Sequence, residues 1–220
     1  MDLVELIKER KSIRGFKAEQ PAKETILECL EAAAWAPNPT SQQPWRFIVL
    51  TGEKLKAVIK VIEENFAEAF QNKEAQPSPP LSEEMEKTLK VRKHIAFQGM
   101  MAVLKEKGAD IQAVGSGNFN FHSAPVGIIF ATYPWKDQNF FKSTVAAMEN
   151  FLLAATSKGL GTCWMNAVSI CMESIKKALN LPSELILVDG VALGYPEKDS
   201  PLNQLPRERL PISEVVDWLE

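Results

Sequence analysis

Arg10, Ser12 and Arg14 are the residues whose types and spacing could do chemistry. If the stretch Arg10-Lys11-Ser12-Ile13-Arg14 is extended, its side chains alternate between faces and these three point the same way. Two guanidinium forks flanking a hydroxyl form a grip for a phosphate, and Lys11 adds a cation beside it. Taken alone, the pentapeptide also reads as a solvated basic loop, because short basic patterns recur by chance. The rest of the chain has to decide between the two.

Other chemistries find less support. His122-Ser123 is a neighbour pair without a G-x-S-x-G elbow, so a nucleophilic triad is not indicated. Gly115-Ser116-Gly117 and Gly159-Leu160-Gly161 each match part of a dinucleotide-binding loop. Neither completes G-x-G-x-x-G between a strand and a helix, and Gly159 reads as a helix cap. Cys163 reads as a small buried residue rather than a nucleophile. Three cysteines (Cys29, Cys163, Cys171) without a Cys-x-x-Cys, and two distant histidines, argue against a disulfide framework and a metal site.

The 220 residues are ample for a packed core, and the net charge of −3 gives no general affinity for nucleic acid or anionic membrane. The start, Met1-Asp2-Leu3-Val4-Glu5, lacks signal-peptide character, and no apolar run is long enough to span a membrane. A soluble cytoplasmic protein is the expectation.

The elements that must position the basic stretch follow from periodicity. Leu3, Leu6 and Ile7 give an opening helix one apolar face. A second helix is expected over Lys23–Trp35, with Ile26, Leu27, Leu30, Ala33 and Ala34 towards the core. Pro37 ends it, and a stiff, amide-rich loop runs to Pro44. Arg46–Thr51 reads as a strand, and Leu55, Val58, Ile59, Ile62 and Phe66 mark a third helix. Gln71–Ser82 reads as a proline-rich loop. A long helix from Ser82 to about Lys107 follows, with a break expected near Gly99. Val126–Tyr133 and Leu185–Tyr195 read as buried strands, and Ile175–Leu181 as a short helix. Val145–Lys158 is apolar on nearly every face, which places it in a core or a subunit interface. The chain closes on Arg207, Arg209 and a small amphipathic end.

Five motifs in order resemble the FMN-dependent nitroreductase family. Arg10-Lys11-Ser12-Ile13-Arg14-Gly15-Phe16 is similar to its R-R-S-x-R-x-F opening. Glu31-Ala32-Ala33 through Pro37, with Gln43-Pro44-Trp45-Arg46-Phe47, is similar to its E-A-A-x-x-A-P … Q-P-W-x-F block. Met148-Glu149-Asn150 with Leu153-Ala154-Ala155, and Gly159 through Trp164, resemble its E-N-x-x-L-A-A … G-L-G-x-x-W block. Gly194-Tyr195-Pro196 and Arg207-Glu208-Arg209 resemble its late G-Y-P and basic pair. The stretch from about Asn65 to Asn120 carries no family motif.

The resemblance implies an α+β fold over 1–220 as one domain, with a central, mostly antiparallel sheet wrapped by helices. It also implies an intertwined homodimer with two FMN sites at its interface. Arg10, Ser12, Arg207 and Arg209 would hold the FMN phosphate, with Lys11 beside them, and Arg14 would sit near flavin N1 and O2. Pro37, Asn38, Pro39, Thr40 and Gln43 would come from the other subunit. Trp164, Met165, Asn166 and Ala167 would run past the ring, with a backbone N–H of Asn166 or Ala167 reaching N5 or O4. The implied activity takes hydride from NADH or NADPH and reduces nitroaromatic, quinone or related acceptors by a ping-pong route. Flavin reduction, reductive dehalogenation and a redox-quiet flavin-binding or sensory role are the alternatives.

Overall fold

The structure, a computed structural model, describes residues 2–72, 80–134 and 138–220. Helix α1 spans Leu3–Glu9 and α2 spans Lys23–Ala33. Strand β1, Trp45–Thr51, turns at Gly52 (φ +50°) into α3, Gly52–Asn72. Helices α4 (Glu83–Glu106) and α5 (Gln112–Ser116) lead to β2, Val126–Thr132. Helix α6 (Asn139–Ser157) precedes β3 (Gly161–Met165), and the short α7 (Ala167–Ile170) and α8 (Met172–Leu179) precede β4 (Ile186–Gly194). The loop expected over Gln71–Ser82 falls largely on residues 73–79, outside the described residues.

The sheet order is β1-β2-β4-β3, antiparallel throughout. Both faces are covered. On β2, Val126, Ile128 and Phe130 face α2 and α6, while Ile129 and Ala131 join the core beneath α3, α7 and α8. An antiparallel sheet often leaves one face wet; covering both explains why β2 and β4 are continuous apolar runs rather than alternating ones.

The expected helices and buried strands form, with four differences. Leu27 is not a core residue: it is half exposed, and Cys29 takes the buried place beside Ile26, Leu30 and Ala33. Helix α4 runs unbroken through Gly99, where a Cβ would meet Pro206 at 3.3 Å, so the glycine serves close packing rather than a break. Helix α6 begins six residues before Val145. It buries one stripe, including Ala147, Met148, Phe151 and Ala155, while Val145, Ala146, Leu153 and Ala154 are half-buried. Strand β3 gave no sequence signal, being only five residues directly after a glycine turn.

The turns carry their own chemistry. Gly159 (φ +73°) ends α6, and Leu160 N–H closes the cap by donating to Ala155 O at 2.9 Å. Ser82 Oγ caps α4 by accepting from Met85 N–H at 3.2 Å.

Candidate functional site

The basic stretch leaves α1 at Arg10, whose N–H still donates to Leu6 O. It then lies along β3, the edge strand. Ser12 bridges Thr162 in parallel fashion, and Ile13 N–H donates to Thr162 O at 2.8 Å. Ile13 is buried, so its neighbours on alternate positions turn outward together. The close approach depends on Gly161, where a Cβ would stand 2.8 Å from both γ carbons of Ile13. Gly159-Leu160-Gly161 therefore touches the site through backbone packing: one glycine turns the chain and the other admits the basic stretch.

Arg10, Lys11, Ser12 and Arg14 line one cavity of about 160 Å³ together with Arg207 and Arg209 from the far end of the chain. An adjoining cavity of about 440 Å³ adds Lys8 and Glu149 around Arg10, Arg207 and Arg209. Arg10 Nε stands 3.9 Å from Glu149 Oε1, the carboxylate that lines this second cavity. Arg207 is engaged along its length: its guanidinium donates to Arg10 O and Lys8 O. Burial, then the charges of Arg10 and Arg209, lower its pKa from the ordinary guanidinium value. Converging cations with one hydroxyl make a donor set suited to a phosphate or carboxylate.

Asn203, which gave no sequence signal, is the polar centre behind this cavity. Its carboxamide oxygen accepts from the N–H groups of Arg14 (2.7 Å) and Gly15 (3.0 Å). Its nitrogen donates to Gly15 O and Glu197 O, both at 2.8 Å.

Beside the basic stretch, β3 runs through Trp164 and Met165 to Asn166, which precedes α7. Trp164 Nε1 donates to Asp189 Oδ2 at 2.7 Å across the strand pair. Met165 and Ala167 are buried and Asn166 is exposed. Cys163 lies beneath; burial raises its thiol pKa, against the opposing pull of Arg14, a Ser12 hydrogen bond and Arg10. It is held as a thiol, not a nucleophilic thiolate.

The Pro37–Gln43 loop is elsewhere. Asn38 Oδ1 accepts from Gln43 N–H at 2.8 Å, and Asn38 Nδ2 donates to Ala36 O at 3.2 Å. Thr40, Ser41 and Gln43 all have positive φ, at +46°, +57° and +49°. Each such non-glycine residue costs on the order of 1 kcal/mol, so the loop holds a strained shape that local bonds and prolines enforce. It borders a cavity of about 360 Å³ lined by Trp35, Asn38, Ser41 and Gln43 among others. That cavity shares no lining residue with the cationic one. One chain thus joins the two basic ends but keeps the amide loop apart from them.

A second strained turn, Phe121-His122-Ser123 (φ +53°, +51°, +57°), leads into β2. His122 is buried, and neither ring nitrogen has a hydrogen-bond partner among the described residues. Burial first, and the Arg14 charge second, push its pKa down to about 4, so the ring is neutral at ordinary pH. Gly117 leaves room for the ring; a Cβ there would lie 2.0 Å from His122 Nδ1. Among the described residues no group of three or more His, Cys, Asp or Glu is placed to hold a metal ion, and no helix is long and apolar enough to cross a membrane.

An antiparallel sheet covered on both faces, with a two-ended cationic cavity on its edge strand, is the frame of an α+β protein suited to an anionic ligand. The chain belongs to the nitroreductase family: the model of that family matches residues 7–195. It is 29% identical over 218 residues to a 4-nitrobenzoate reductase of Pseudomonas putida, covering 94% of this chain and 92% of that protein. It is 28% identical over 215 residues to an iodotyrosine deiodinase of Thermotoga neapolitana, covering 97% and 95%. Its fold matches the crystal structure of the FMN and NADPH-dependent nitroreductase NfnB from Sphigopyxis sp. strain HMH with a TM-score of 0.84, at 21% identity over 100% of both chains.

Proposed function

We propose that the chain is an FMN-dependent oxidoreductase that takes hydride from NADH or NADPH and reduces a nitroaromatic, quinone or related acceptor in alternating half-reactions. The observation that carries this reading is the cavity in which Arg10, Ser12 and Arg14 meet Arg207 and Arg209 across nearly the whole chain. Its donor set fits a phosphate monoester, and its volume of about 160 Å³ takes the head of a ligand only. A drug-sized ligand needs roughly 300–1,000 Å³, so the ring requires further walls.

In this reading Arg10, Ser12, Arg207 and Arg209 hold the FMN phosphate, with Lys11 raising the local positive potential. Arg14 faces N1 and O2, where its fixed charge makes reduction easier. Trp164, Met165, Asn166 and Ala167 run past the ring, and a backbone N–H of Asn166 or Ala167 binds at N5 or O4. Pro37, Asn38, Pro39, Thr40 and Gln43 of a second subunit supply the remaining wall, which accounts for the separation of the two cavities within one chain. Bound flavin supplies the hydride chemistry; the protein positions it, charges its surroundings and excludes water.

The test is direct. Purified protein loaded with FMN should be yellow and should bleach with NADH or NADPH under anaerobic conditions. 4-Nitrobenzoate or a quinone should restore the colour, with parallel double-reciprocal plots. A protein that takes no FMN, or a bound flavin that neither nicotinamide bleaches, removes the reading. The similarity to the Thermotoga deiodinase favours one second reading, reductive removal of a ring substituent. Reoxidation by 3-iodotyrosine with iodide release, and none by 4-nitrobenzoate, would select it.

A further inference from the structure

We propose that Asn203 is the positioning residue of this site: its side chain fixes the backbone that carries Arg14, and through Arg14 it sets FMN affinity and flavin potential. The inference rests on the reading that the cationic cavity holds FMN with Arg14 at the ring.

Asn203 is 5% exposed and uses all of its hydrogen-bonding capacity. A carboxamide has two N–H donors and one oxygen with two lone pairs. Here the oxygen accepts from Arg14 N–H and Gly15 N–H, and the nitrogen donates to Gly15 O and Glu197 O. The orientation follows from chemistry: the flipped amide would set its NH₂ against two N–H groups and its oxygen against two carbonyls. No other side chain of similar size offers two donors and two acceptor sites in one plane. Aspartate supplies the acceptors but turns a second oxygen towards the Gly15 and Glu197 carbonyls. Serine and alanine leave backbone groups buried without partners.

These bonds cross 188 and 189 residues of sequence to Gly15 and Arg14. The same C-terminal segment carries Arg207, whose guanidinium donates to Arg10 O and Lys8 O. The basic stretch is therefore clamped at both ends, by Arg207 at Lys8 and Arg10 and by Asn203 at Arg14 and Gly15. Between the clamps, Ile13 N–H is tied to Thr162 O. Gly15 completes the fit, since a Cβ there would stand 2.2 Å from Ser200 Oγ. Asn203 lines the cavity yet directs its polar atoms at backbone, so its influence on a ligand passes through the residues it holds.

The experiment compares FMN affinity, by fluorescence titration, and the midpoint potential of bound FMN in the parent, Arg14→Ala, Asn203→Ala and Asn203→Asp. Thermal unfolding of each apoprotein is measured alongside. Ile62→Val, in the core on α3 away from the cavity, serves as the control for general destabilisation. Asn203→Ala should weaken FMN binding about tenfold or more. It should also move the potential in the same negative direction as Arg14→Ala. Asn203→Asp, nearly isosteric, should do the same if the alanine variant does not fold. Ile62→Val should lower the unfolding temperature and leave both flavin readouts alone. Asn203 variants that unfold earlier but keep the parent affinity and potential, while Arg14→Ala shifts the potential, overturn the positioning role and leave the FMN reading standing. A parent protein that binds no FMN, or an Arg14→Ala potential equal to the parent's, removes the underlying reading and this inference with it.

Discussion

The arginines of the cavity do different work. Arg207 spends its guanidinium on two backbone carbonyls, whereas Arg10 keeps a loose pairing with Glu149 at 3.9 Å. Of these two, Arg10 is thus the one freer to turn to an anion. Arg10→Ala should weaken FMN binding by about ten- to a hundredfold, the loss of one charge-assisted contact. Titration of the apoprotein checks this, and unchanged affinity takes Arg10 out of the phosphate grip. His122 predicts a pH effect. Its pKa is about 4 in the folded chain against an ordinary 6.5, so between those values the unfolded chain binds the extra proton. The stability from a neutral buried ring is complete above about pH 6.5 and is lost as pH falls towards 4. Urea unfolding of the apoprotein at pH 7 and pH 5 should show the parent losing roughly 2 kcal/mol more than His122→Phe, which cannot titrate. Equal losses would mean that the ring is not held neutral.

At the scale of elements, the site depends on how closely a non-periodic stretch lies on an edge strand. Gly161 admits Ile13, and Gly194 admits Phe16 at 3.1 Å from the position a Cβ would take. Gly161→Ala must push Ile13 outward and break the tie between Ile13 N–H and Thr162 O. The expected outcome is a loss of about 1–3 kcal/mol in stability with weaker FMN binding. Gly115→Ala in α5, where nothing stands within 4 Å, is the control: it should leave FMN binding unchanged and stability equal or slightly higher. Calorimetry with flavin titration reads both. If Gly161→Ala binds FMN like the parent, the basic stretch does not need its seat on β3. The two left-handed turns belong to this scale too, since each holds three non-glycine residues at positive φ, which persists only where surrounding structure enforces it.

For the whole molecule, the question is what covers the apolar surface that one chain leaves open. No residue of α1 is buried, and Leu3, Val4 and Ile7 on it are exposed. Trp35 is 83% exposed beside the Asn38–Gln43 cavity. Apolar surface of this kind is what the partner subunit of the proposed dimer would cover. Ala147 is fully buried under α2, so a charge there should unfold the chain rather than separate subunits. Trp35 is the better probe. If the amide loop of one subunit completes the flavin site of another, dimerisation and FMN binding must strengthen each other. Trp35→Ser should then raise the dimer dissociation constant and the FMN dissociation constant together. Light scattering with flavin fluorescence measures both, and a parent protein that is monomeric yet fully loaded with FMN would falsify the two-subunit site.

Sequence alone determined whatever depends on near neighbours. Helical spacing marked α2 and α3, a helix-start serine marked α4, a run apolar on nearly every face marked the later part of α6, and continuous apolar runs marked β2 and β4. Alternation put Arg10, Ser12 and Arg14 on one face, and prolines stiffened the 37–44 loop. Five ordered motifs identified the family. The tertiary structure decided the rest. It made Gly161–Met165 a strand because β4 and the basic stretch flank it, and it seated Cys29 rather than Leu27 in the core. It placed Asn203 behind Arg14, turned Arg207 into a clamp and buried His122 against Gly117. It also kept the amide loop away from the cationic cavity of its own chain. The reason is physical: a helix or strand repeats within a few residues and leaves a period in the sequence, whereas one side chain bonding backbone 189 residues away leaves none.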